Sequence, residues 1–372
     1  MSIVTPKAIR MPALLLLAVA AWVAIPGAQA PAARTFAALV ERLSEPGGDF
    51  GGDNLISNEQ SYLHVMTALE AAKVTGGAYV GVGPDQNFSY IAQIRPHIAY
   101  IVDIRRDNLL LHLLFKAIFK RAPTPVEYVS LLTGRPPPAA PAGVIGIEKV
   151  VAYIDATPAL AAPRQATLEN ELDLAMKGFG VPLSPADLST IHAFRRQFVN
   201  DGLSLTFQVR GQGPRSYYPS LRTLLLETDR NGKHRSFLAD DSSYQVVRSL
   251  EERDLIVPVV GDVSGAKAMP AIAADMQARG DALSAFYVSN VEQYLFQDGR
   301  FPAWVENLKR MPHDERSMII RSVFPSGYRG SLPQSVPGYY STSLTQPLGR
   351  MLSDIAAGKY YGYADLVLAS VR

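Results

Sequence analysis

Two apolar runs, 77–82 and 97–104, each lead through a turn into a helix-patterned segment, and nothing else limits the fold as much. Gly77 to Val82 is short, bounded by glycines and free of polar alternation, so it reads as a strand buried on both faces. Asn87 to Ile94 then has helical spacing. His97 to Ile104 is a second strand, and Asn108 to Phe119 is a strongly apolar helix. Two strands joined by a helix form a βαβ unit, in which the strands lie parallel and helices cover the faces. The rhythm resumes after residue 240. Ser243 to Arg253 and Ala268 to Arg279 read as helices, Leu255 to Val260 and Leu283 to Val288 as strands, and Ser317 to Phe324 as a further strand. Pro258 counts against a central position for its strand, because proline cannot donate to a ladder. The last strand or helix is expected near Leu366. The expectation is an α/β domain over 76–120 and 241–372, with a mainly parallel sheet.

Residues 121–240 interrupt this rhythm. Pro123, Pro125 and the run Pro136-Pro137-Pro138-Ala139-Ala140-Pro141 are stiff. Ser184-Pro185-Ala186-Asp187 starts a helix to about Val199, with serine as cap and proline in the first turn. Leu203 to Val209 alternates like a strand, and Tyr218 to Asp229 has a helical face. The stretch is read as a largely helical insertion or cap. Residues 31–75 form an N-terminal helical arm. Its first helix carries Phe36, Leu39, Val40 and Leu43, and Glu45-Pro46-Gly47-Gly48 ends it. Ser57 or Asn58 is expected to cap a second helix bearing Tyr62, Val65, Met66 and Leu69.

Lys7 and Arg10 precede fifteen uncharged, mostly apolar residues, Met11 to Ile25, and then Ala28-Gln29-Ala30. This is the layout of a secretory signal peptide over 1–30, which places the protein in the periplasm or outside the cell. The alternative is an uncleaved segment acting as an anchor, and only then is the membrane a partner. Those two are the only charges in the first thirty residues, so the rest of the chain balances 34 basic against 34 acidic residues. A neutral body has no overall electrostatic footprint for nucleic acid, so none is expected as a partner; a small-molecule ligand is the partner expected from the strand ends. The absence of cysteine excludes disulfides, thiolate metal sites and cysteine nucleophiles. The six histidines are scattered and give no metal spacing.

Four strand ends carry the candidate chemistry. Gly81-Val82-Gly83-Pro84-Asp85-Gln86-Asn87 links a strand to a helix, where glycines let the backbone turn sharply and approach a ligand. Asp103 ends the second strand, 22 residues after Gly81. It can accept hydrogen bonds from ribose hydroxyls, or pair with Arg105 or Arg106. Asp262 ends the third strand, as ligand contact or as cap for the segment from Ser264. Ser289-Asn290-Val291-Glu292 ends the fourth, as site or as turn. In a parallel sheet these ends line one crevice.

The order of these pieces resembles class I S-adenosylmethionine-dependent methyltransferases, over roughly 76–120 and 240–325. The resemblance implies a Rossmann-like, methyltransferase-like sheet with S-adenosylmethionine as cofactor. Gly81 and Gly83 would hold its methionine part, Asp103 its ribose, and Asp262 would lie near its adenine. Asp85 would stand near the cofactor carboxylate, where that family usually has a third glycine. Tyr79 stands where the family usually has an acid. Asn290 would face the acceptor, and Asn290 or Glu292 would orient it. The chain is also similar to a bacterial family, with no activity attached, that shares the runs Val80 to Asn87 and Phe286 to Tyr294. The competing expectation is an exported protein that keeps the fold and binds a ligand or a protein without catalysis. A hydrolase using Glu292 or Asp85 as general base is a third.

Overall fold

In a computed structural model, which describes residues 1–2, 35–209, 211–213 and 215–371, six strands form one sheet. They are β1 (Ala78–Val82), β2 (Ile98–Asp103), β3 (Ile256–Val260), β4 (Leu283–Ser289), β5 (His313–Val323) and β6 (Thr342–Pro347). Their order is β3-β2-β1-β4-β5-β6. All pairings are parallel except β5 with β6. The chain winds outward from β1 in one direction to β3, then returns to β4 on the other side of β1. This reversal makes β1 and β4 the switch point, where a crevice opens outside the carboxyl ends of the strands.

Side-chain character explains the strands. Every residue of β1 and β3 is buried, so these segments needed continuous apolar runs rather than alternation. Pro258 is accommodated because β3 is the edge strand, paired only with β2. The register sets the strand ends level: Val82 lies beside Val102, Asp103 beside Val260, and Gly81 beside Tyr287.

The helices Gln86–Ile94, Arg106–Arg121, Asp241–Glu252 and Ala268–Arg279 fall within a few residues of their sequence-based limits. The insertion is largely helical, with helices Pro125–Leu132, Ile147–Ala156, Ala162–Lys177, Pro185–Asp201 and Leu221–Leu225. Ser184 and Asp187 form the reciprocal cap expected of their spacing. Two expectations fail here. Leu203 to Val209 forms no strand; it offers only single bridges, Gly52 to Val209 and Thr206 to Ser220. Tyr218 to Asp229 is helical only over Leu221–Leu225, and the rest is turn. The tail adds the antiparallel β6 and a final helix, Tyr363–Ala369.

The arm begins with the helix Phe36–Leu43, which buries the four expected apolar residues against β3 and the helix Ala268–Arg279. It then crosses the rim of the sheet. Glu45 accepts hydrogen bonds from the backbone N–H groups of Asp262 (2.8 Å) and Ala268 (3.2 Å), and Gly48 donates to the carbonyl of Ile104 (2.7 Å). Ser57 does not cap a helix. Its hydroxyl accepts from the backbone of Glu59 (3.0 Å), and a 3₁₀ turn, Gln60–Val65, precedes the helix Met66–Ala71. Residues Thr35–Arg372 pack as one compact unit. The expected signal peptide lies outside the described residues apart from Met1 and Ser2. No described helix is long and apolar enough to cross a membrane.

Candidate functional site

A cleft of about 650 Å³ lies over the carboxyl ends of the strands. Gly83 after β1, Asp103 at the end of β2, Asp262 after β3 and Asn290 after β4 all line it. Four loops far apart in the sequence therefore share one rim. Arm residues between Asp49 and Asn58, with Phe207, Val209, Gln212, Arg215 and Tyr218 of the insertion, roof the cleft, joined by the bridge between Gly52 and Val209.

The glycine turn is held by its own helix. The Asn87 side-chain amide donates to the carbonyls of Val82 (2.9 Å), Gly83 (3.3 Å) and Pro84 (2.7 Å), while its oxygen accepts from the Tyr79 hydroxyl (2.8 Å). Gly81 serves this plug and does not line the cleft. A Cβ there would lie 1.9 Å from the Asn87 oxygen, so only glycine fits. Gly83 is needed for conformation, with φ +84°. The ring of His112, buried and held down to about pKa 4 by that burial, donates from Nε2 to the Gly83 carbonyl (3.0 Å).

Asp103 accepts from the Arg105 backbone (2.9 Å) and guanidinium (3.3 Å). The same guanidinium donates to the carbonyls of Gly52 (2.9 Å) and Asp53 (3.1 Å), fastening the roof to the rim. Asp262 plays both expected parts. One oxygen accepts from the backbone and hydroxyl of Ser264 (2.8 and 2.7 Å), and the other meets Arg300. Burial alone would raise this carboxyl, but the Ser264 and Arg300 hydrogen bonds outweigh it and hold it below the usual range.

Besides Gly81, two expected site residues lie outside the cleft. Asp85 follows the turn but sits behind it, beside Ser57, Tyr62, Ser89 and Phe237. Its carboxylate is therefore not placed to meet a ligand in the cleft. Burial pushes it up to about 7, offset only by its own backbone N–H. The unfolded chain releases that proton near the ordinary pKa of 3.8, so folding stability falls as pH rises from about 4 to about 7. Asp85→Asn removes this penalty. Chemical denaturation is expected to show a variant more stable than the parent by about 2 kcal/mol at pH 7, after discounting partial exposure, and by nothing at pH 4. Glu292, expected to orient an acceptor, is fully buried and outside the cleft. Its carboxylate meets the Arg321 guanidinium at 2.5 and 3.1 Å, and Arg321 is itself fully buried.

The sequence concealed one group below the cleft floor. Glu59, 1% exposed, receives the hydroxyls of Tyr287, Ser289 and Ser322. Burial raises its pKa against the lowering effect of those hydrogen bonds. Only tertiary packing brings a residue of the arm under β4 and β5, and the sequence around Asn58-Glu59-Gln60 looks like an exposed polar turn. Among the described residues no group of His, Asp or Glu is arranged to hold a metal ion.

The model of one family, the domain of unknown function DUF7790, matches residues 55–139 and 214–359. The chain belongs to this family. No curated protein matches it. The DUF7790 segments carry all six strands and the cleft residues Gly83, Asp103, Asp262 and Asn290. Between them, 140–213 is the middle of the helical insertion, which the family model leaves out.

Proposed function

We propose that this DUF7790 protein binds a nucleoside-type ligand across the strand ends, in the manner of class I methyltransferases, with S-adenosylmethionine as the leading candidate. One observation carries this reading: Gly83, Asp103, Asp262 and Asn290 line a single cleft at the switch point of the sheet. The volume falls within the range of about 300–1,000 Å³ common to small-molecule sites. Asp103 keeps lone pairs for ribose hydroxyls while Arg105 fixes its orientation. Asp262 would stand beside the base. With Asp85 behind the turn, the carboxylate of the ligand does not face a like charge there.

Arg105 and Arg300 hold the acids at the ends of β2 and β3, so neither Asp103 nor Asp262 stands free as a general base. Methyl transfer at this site would therefore draw its rate from alignment of donor and acceptor. The same engagement favours the second reading, ligand binding without catalysis. The protein would act outside the cytoplasm if residues 1–30 direct export. Calorimetric titration of the full chain with S-adenosylmethionine and S-adenosylhomocysteine tests the reading. Binding is expected, weakened about tenfold or more in Asp103→Ala. No heat at millimolar ligand, or equal affinity in the variant, would refute it.

A further inference from the structure

The cleft has two unlike halves. Glycine and carboxylates form the β1–β3 side. Aromatic rings wall the β4–β5 side and the roof: Phe50 from the arm, Phe207 and Tyr218 from the insertion, Tyr294 after β4, Phe324 after β5, and Tyr340 before β6. Neighbouring rings meet at large angles, Phe50 with Tyr294 (6.1 Å between centroids), Phe207 with Tyr218 (4.9 Å) and Phe324 with Tyr340 (5.6 Å). Phe50 and Tyr294 are each 38% exposed, so ring surface is left open at the cleft rather than spent on core packing. Open rings facing a cavity favour a flat, polarisable ligand that stacks or packs edge-on.

A polar point stands at the base of this half. Ser289 lines the cleft and holds φ +52°, a left-handed conformation uncommon outside glycine. Its hydroxyl proton is directed to Glu59 beneath it, with a longer contact to the Asn290 side-chain oxygen (3.4 Å). A serine whose proton is committed in this way offers lone pairs to anything above it, and so selects a hydrogen-bond donor.

We propose that this half of the cleft binds a planar aryl compound carrying an O–H or N–H group, with its ring among the aromatic side chains and its donor on Ser289. The assignment rests on the nucleoside reading for the other half, and it names the class of acceptor that reading leaves open.

Three probes on the unaltered full chain test it by calorimetry: 2-naphthol, 2-methoxynaphthalene and decahydro-2-naphthol. The first keeps ring and donor, the second loses the donor, and the third loses planarity. 2-Naphthol is expected to bind about tenfold or more tightly than either. Tyr294→Ala is expected to weaken it about fivefold, and Ser289→Ala to erase its advantage over 2-methoxynaphthalene. Tyr294→Ala should bind S-adenosylhomocysteine like the parent. Because the three-probe comparison needs no variant, it stands even where a variant fails to fold. Equal binding of 2-naphthol and decahydro-2-naphthol, or unchanged 2-naphthol affinity in Tyr294→Ala, overturns the proposal. S-Adenosylhomocysteine binding without naphthol selectivity removes the aryl site alone. Naphthol selectivity without S-adenosylhomocysteine binding supports the aryl site and removes the nucleoside reading.

Discussion

Replacing Glu292 by Gln is expected to destabilise the protein by about 3–5 kcal/mol, the cost of stripping one partner from a buried ion pair. Arg321 is fully buried and keeps its charge, so the variant would leave it with only neutral partners: the Gln346 side chain (2.7 Å), Ser370 and the Met351 sulfur. The pair joins the helix after β4 to β5, and Gln346 extends it to β6. Urea denaturation should show a lower midpoint with an unchanged slope, since the surface exposed on unfolding is the same. A stability like that of the parent would mean that Glu292 is not committed to Arg321, and would return it to the list of groups able to serve chemistry.

Arg105→Ala is expected to cost about 2–3 kcal/mol of stability and about tenfold or more in ligand affinity. The side chain is 3% exposed and joins two things: the Asp103 carboxylate and the roof carbonyls of Gly52 and Asp53. Removing it leaves a poorly solvated carboxylate short of its partner and frees the roof from the rim, and hydrogen bonds to charged groups are worth about 1.5–3 kcal/mol. Arg105→Lys keeps the charge but loses the fork that reaches both carboxylate and carbonyls, so it should recover stability better than affinity. Denaturation and titration of both variants check this. Equal affinity in Arg105→Ala would show that the roof does not hold the ligand.

What could be read from the sequence follows from the range of the forces involved. The strands were legible because burial on both faces demands unbroken apolar runs, and Ala78–Val82 and Ile256–Val260 have them. Caps were legible because they are local: Ser184, Pro185 and Asp187 sit within one turn. β6 escaped because Thr342–Pro347 is polar, ends in proline and depends on β5 for its pairing. Residues Leu203 to Val209 alternate like a strand, yet with only single bridges to the arm and to Ser220 they form no ladder. Gly83, Asp103, Asp262 and Asn290 were found because a parallel sheet brings strand ends together whatever their separation in sequence. The same reasoning could not tell that Asp85 turns behind its loop or that Glu292 faces Arg321, because side-chain direction within a helix is settled by packing partners distant in sequence. Glu59 and the aromatic wall depend on the arm and insertion folding over the rim, which no local pattern announces.

The account rests on a single ligand cleft along the upper rim of the sheet, and hydrogen exchange with S-adenosylhomocysteine addresses it most directly. Slowed exchange is predicted in peptides covering 82–87, 103–106, 261–265 and 289–291 together, with those at the opposite strand ends, 76–78 and 281–284, unchanged. Protection confined to the opposite ends, or none at saturating ligand, would contradict it.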